Sequence, residues 1–151
     1  MQIDYVTEEE FSKSNAKVLF SDDLYAQVFG MCKFNDKLYK FSWLSSLIKP
    51  NIFELNKSIF FIGVDLTLII YDFELDRHLL QHVLHSYYNK MQIVSEKLLI
   101  FCETEYFIID LNAYNIIKTG DFPDVFVDCE ITGDKVKVEC MCGYHLEIHI
   151  P

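Results

Sequence analysis

Two stretches of the chain, residues 58–72 and 96–110, carry one pattern at an offset of 38 residues. Each reads as an apolar strand, an acidic turn, a second apolar strand and an aspartate. Ile62 and Ile100, Ile70 and Ile108, and Asp72 and Asp110 fall at matching places. A period of about 40 residues with several strands per unit is the spacing of propeller blades, which bury their apolar faces by stacking on one another. Two such units cannot close a ring. The expected fold is therefore mainly β: antiparallel strands in a propeller-like fragment or a sandwich, with one or two short helices.

The flanking sequence supports strands. Residues 25–34, the pair Asn35-Asp36 and residues 37–44 read as a hairpin. Strands follow over 52–55, 59–64, 66–73, 79–84 and 91–94. Between them, Ser45 to Pro50 breaks the pattern, because the residue before a proline avoids helical backbone. Segment 76–90 stays open: Leu79, Leu80, Val83 and Leu84 fit a strand or one face of a short helix. Near the start, Thr7 with Glu10 three residues on has the form of a capping box, and the helix it opens ends near Asn15 or Lys17.

The last third is the most legible. Asp121-Phe122-Pro123-Asp124 punctuates the chain. Three antiparallel strands then span 125–132, 135–141 and 144–150. Gly133-Asp134 forms a two-residue turn of type II′, and Gly143 takes the left-handed position in a three-residue loop. This register sets Ile131 against Val136, Cys129 against Val138, Val127 against Cys140, Val138 against Leu146 and Val136 against Ile148. One face becomes apolar. The other carries Asp128, Glu130, Lys137, Glu139, His145, Glu147 and His149, with opposite charges facing one another at Glu130–Lys137, Glu139–His145 and Lys137–Glu147.

With 151 residues, the chain is expected to form a single domain over 1–151, an N-terminal helix and hairpin portion in 1–50 and a β-meander in 51–151. A net charge of −10 repels phosphate backbones and anionic membranes, so neither nucleic acid nor membrane is an expected partner. A basic protein would be steered toward it. The N-terminus lacks a signal-peptide pattern, and five cysteines without paired spacing fit free thiols, which together suggest the cytoplasm.

Motifs for chemistry are scarce. No glycine-rich phosphate loop, nucleophile elbow or His-Glu-x-x-His helix occurs. His145, Glu147 and His149 would project from one strand face as a two-histidine, one-carboxylate metal site does; a solvated face with ordinary pairing accounts for them as well. Cys140 and Cys142 lack the second pair that structural zinc needs. No cofactor, no metal and no catalytic residue is expected. The feature that leans toward function is acidity: Asp22 and Asp23, Glu103 and Glu105, and Asp121, Asp124, Asp128 and Glu130 are candidate binding residues for a basic surface.

Residues 121–138, Asp-Phe-Pro-Asp-Val-Phe-Val-Asp-Cys-Glu-Ile-Thr-Gly-Asp-Lys-Val-Lys-Val, following two strand–acidic turn–strand units, resemble small bacterial immunity proteins of polymorphic or contact-dependent inhibition systems. The resemblance implies a tight complex with a cognate toxin, usually a nuclease, whose basic active site the protein occludes. A non-catalytic subunit of a larger assembly is the alternative, and a metal-dependent enzyme using His145, Glu147 and His149 is a third.

Overall fold

The computed structural model describes residues 1–22 and 24–151. Its elements run β1 (Ile3–Val6), α1 (Glu8–Lys13), β2 (Lys17–Phe20), β3 (Val28–Phe34), β4 (Lys37–Trp43), β5 (Asn51–Asn56), β6 (Ile59–Val64), β7 (Thr67–Asp72), β8 (Arg77–Val83), β9 (Tyr88–Val94), β10 (Lys97–Cys102), β11 (Glu105–Asp110), β12 (Asn115–Asp121), β13 (Phe126–Thr132), β14 (Lys135–Cys140) and β15 (His145–His149). They form sheets in the orders β1-β3-β4-β2, β5-β6-β7-β8, β12-β11-β10-β9 and β13-β14-β15. Contacts group into two compact units, Met1–Asp65 with Tyr71–Arg77, and Leu66–Ile70 with His78–Pro151.

In the first unit the capping box forms. Thr7 Oγ1 accepts the Glu10 N–H at 3.2 Å, and Glu10 Oε2 accepts the Thr7 N–H at 2.8 Å. A helix of six residues is too short to persist alone. Lys40 of β4 holds its far end: Nζ donates to the carbonyls of Phe11 and Ser14, both at 2.8 Å, and lies 4.7 Å from the Phe11 ring centroid. Strand β2 is absent from the sequence reading; it pairs parallel to β4. The core is aromatic, with Tyr39, Phe41, Trp43, Phe61, Tyr71 and Phe73 all buried.

The strands recur at the 38-residue step. β6, β7 and β8 begin at Ile59, Thr67 and Arg77; β10, β11 and β12 begin at Lys97, Glu105 and Asn115. Turn hydrogen bonds step likewise: Phe73 N–H to Ser58 C=O becomes Leu111 to Glu96, and Leu84 to Leu66 becomes Phe122 to Thr104. Asp72 Oδ1 accepts the N–H groups of Glu74 and Leu75, as Asp110 Oδ1 accepts those of Asn112 and Ala113. A third unit follows, for β13 and β14 begin 38 residues after β9 and β10. Residues 77–83 are therefore strand, which closes the helical option there. β12, also unread in the sequence, is the counterpart of β8.

In the second unit, β13 and β14 pair at Ile131–Val136 and Cys129–Val138 as expected. The expected Val127–Cys140 pair does not form. A bulge between Phe126 and Asp128 sets Phe126 against Cys140, so Phe126 is buried and Val127 faces out, half exposed. Aromatic packing decides this: Phe126 stacks on Phe101 at 5.0 Å and on Phe122 at 5.7 Å, contacts that valine cannot replace. Gly133 (φ 63°) has the positive φ with which a type II′ turn opens, and Gly143 (φ 77°) takes the left-handed position expected of it. The apolar face of β13–β15, with Val136, Val138, Cys140 and Ile148, closes on Leu99, Phe101, Tyr106 and Ile108 of β10 and β11.

Candidate protein-binding surface

Strands β13, β14 and β15 are buried on one face only. Their other face presents Asp128, Glu130, Lys137, Glu139 and His145, which with Cys129 line a shallow depression. Asp128 stands opposite Glu139, and Glu130 opposite Lys137. The like-charge pair is relieved from the neighbouring sheet, where Lys90 Nζ lies 2.6 Å from Asp128 Oδ1. That hydrogen bond holds the Asp128 carboxyl below its usual range. Lys90 and Asp128 are 38 residues apart, as are the strands carrying them. Side chains one repeat apart thus meet across stacked sheets, and the recurrence was the available signal for this pair.

The remaining candidates divide. Asp124 Oδ1 accepts the Val125 N–H at 2.7 Å, and that bond, with a further one from Cys142, lowers its pKa. Asp121 is exposed at the end of β12. Glu103 is half-buried, its backbone bonded to Tyr87 and Phe126. Glu105 drops out of any binding patch: it is 5% exposed, and its Oε1 accepts the N–H groups of His85 (2.6 Å) and Ser86 (2.9 Å). In the first unit, Asp22 Oδ1 caps a turn through the Tyr25 N–H at 3.0 Å. Asp23 lies outside the described residues.

Glu147 is engaged by Lys135 Nζ at 3.0 Å and His149 Nε2 at 3.2 Å, and the Lys135 contact lowers its pKa. Among the described residues no group of three or more His, Cys, Asp or Glu side chains is placed to hold a metal ion. His149 instead pairs with Glu147 on a charged face.

A polar centre in the first unit carries no sequence motif. Asp76, at φ 54°, accepts hydrogen bonds on Oδ1 from Tyr71 (2.7 Å) and Tyr39 (3.1 Å). Lys17 Nζ lies 3.1 Å from the same oxygen and donates to the Asp76 carbonyl at 2.7 Å. The Tyr71 hydroxyl is the main cause that brings the Asp76 carboxyl down to about 2. So weak a base does not abstract protons near neutrality; the cluster locks a turn. Burial pushes the Cys32 and Cys102 thiols up to about 12, which leaves them poor nucleophiles.

No protein-family model matches the chain, and no curated protein matches it. Solved structures do. Sqt1 of Saccharomyces cerevisiae superposes with a TM-score of 0.51 at 17% identity, over 62% of this chain and 28% of that one. The computationally designed Ika8 gives 0.51 at 11% identity, over 64% and 32%. BamB of Moraxella catarrhalis gives 0.49 at 9% identity, over 83% and 38%. The chain thus spans less than a third of the length of Sqt1 or Ika8. With its four sheets, the likeness to Sqt1 and Ika8 defines the class: a mainly β, propeller-like fragment.

Proposed function

We propose that this chain is a non-catalytic protein-binding module that neutralises a basic toxin by lying over its substrate groove. One observation carries the non-catalytic part: among the described residues, the four buried charged side chains each bond backbone, with one oxygen of Asp65 left unpartnered. Lys40 holds the end of α1, Asp72 caps a turn, Glu105 caps the 85–86 loop, and Asp65 Oδ2 accepts the Ser45 N–H at 2.8 Å. The chemistry left over is surface charge, and acids exceed bases by 10 across the chain. Such an excess raises the association rate with a cationic groove and fades with salt. The resemblance to immunity proteins supplies the toxin, and the occluding residues are drawn from Asp121, Asp124, Asp128 and Glu130. Co-purification with the product of the adjacent gene, followed by stopped-flow association across a salt series, tests this. A complex whose on-rate falls steeply with salt is expected; no complex overturns it.

A second reading, a subunit of a larger assembly, has its own support. Val127, Met141 and Tyr144 are 50%, 70% and 54% exposed. An interface centred on them would be nearly indifferent to salt, and the same experiment separates the two.

A further inference from the structure

We infer that a pocket beside α1 holds an arginine side chain of a protein partner. The pocket measures about 210 Å³ and is lined from α1, from the turn at 21–26 and from β3 and β4, all within the first unit.

Its lining is built from the sheet upward. Phe29 and Ser42 are register partners on β3 and β4, so their side chains share one face of the sheet. Phe11 of α1 packs on Phe29 with ring centroids 5.1 Å apart. Ser42, only 1% exposed, shares a single hydrogen bond with Ser21, Oγ to Oγ at 2.8 Å. A hydroxyl both donates and accepts, so one shared bond leaves the pair with capacity for a polar guest.

Charge names the guest. Glu8 and Asp22 line the pocket, and no lysine, arginine or histidine does among the described residues. Neither carboxylate enters an ion pair among the described residues. The other acids of α1 are spent, Glu9 on Lys13 and Glu10 on the capping box. Asp22 gives Oδ1 to the Tyr25 N–H, which leaves Oδ2. Lys40, close to the Phe11 ring, is committed to the Phe11 and Ser14 carbonyls. Two unpaired carboxylates, spare hydroxyl capacity and two phenyl rings suit a guanidinium, whose planar fork donates in several directions while its face stacks on an aromatic ring. An ammonium is a strongly hydrated point charge and uses less of this lining. Leu24, which also lines the pocket, and its neighbour Tyr25 are 82% and 67% exposed. Such apolar anchors beside a pocket favour an arginine carried by a protein over a free small cation.

The inference rests on the partner being basic, as proposed above, but not on its being a toxin. The probe is a blocked peptide, Gly-Arg-Gly, titrated into the full chain and followed by two-dimensional NMR. Saturable shifts at Ser21, Asp22, Phe29 and Ser42 are expected. The same peptide with citrulline, a neutral isostere of arginine, should bind about tenfold more weakly. So should the arginine peptide when the chain carries Glu8→Gln with Asp22→Asn, which keeps an acceptor for the Tyr25 N–H. The citrulline comparison uses the unaltered chain and stands even where the variant folds poorly. Equal affinity for the two peptides, or no shifts at these residues at high peptide, overturns the inference. Ethylguanidinium binding tighter than the peptide assigns the pocket to a free cation and overturns the protein source. A toxin complex that forms as tightly with the double variant sinks this inference alone; saturable arginine binding without any toxin complex sinks only the inhibitor reading.

Discussion

β10 and β14 hold the same place in consecutive units, yet their sequences follow different rules. β10 reads Lys-Leu-Leu-Ile-Phe-Cys and is buried from Leu98 to Cys102. β14 reads Lys-Val-Lys-Val-Glu-Cys and alternates exposed with buried. Leu98, Ile100 and Cys102 correspond to Val136, Val138 and Cys140, all buried. Leu99 and Phe101 correspond to Lys137 and Glu139. The first pair lies under β13–β15; the second is exposed, with no sheet over it among the described residues. A strand's hydrophobic pattern therefore reports how many of its faces are covered, not merely that it is a strand.

The strongest way to break this comparison is to exchange the rules. Leu99→Lys buries an unpaired ammonium and should cost about 4 kcal/mol or more, whereas Lys137→Leu should change stability by no more than about 0.5 kcal/mol. Urea unfolding of both variants decides it; equal losses would refute the one-face assignment. Carboxylates sharpen the contrast. Glu105→Ala strands two N–H groups and should cost about 2 kcal/mol, while Glu139→Ala, on the open face, should be almost silent in the same assay. Turns offer a smaller test. Ser95 (φ 55°) and Gly133 (φ 63°) occupy equivalent turns, so Ser95→Gly should gain up to about 1 kcal/mol by relieving left-handed strain, read as a rise in Tm.

Asp76 tests the first unit through pH. Its carboxyl stands at about 2 in the folded chain against a reference of 3.8. The folded state binds fewer protons than the unfolded one between those values, so its contribution is present above pH 3.8 and is lost as pH falls toward 2. Asp76→Asn should lower stability above pH 3.8 and flatten the profile between 3.8 and 2 in an acid-unfolding titration.

Much of the fold was legible because period and alternation report local geometry directly. The capping box, the C-terminal meander and its glycine turns follow from short-range rules, and the paired stretches at 58–72 and 96–110 expose the recurrence. β12 escaped because Asn-Ile-Ile-Lys-Thr-Gly-Asp is weakly apolar; an outer strand buries too little to advertise itself. Val127 was misplaced because a bulge is set by ring stacking between distant residues, here Phe101, Phe122 and Phe126. The candidate site was less legible. Charge pattern located Asp128 and Glu130 on an outer face but could not tell Glu105, which is spent inside the fold. Nor could it find the Asp76 centre, whose partners Lys17, Tyr39 and Tyr71 are far apart in the chain.

Lys40 carries a consequence for handling the protein. The residue is 9% exposed, and its ammonium donates to the Phe11 and Ser14 carbonyls, both within the first fourteen residues. Trimming those residues would remove both carbonyls and the Phe11 ring that cover this cation. Shortened polypeptides should collect in inclusion bodies, and an affinity tag is better placed at the other end of the chain.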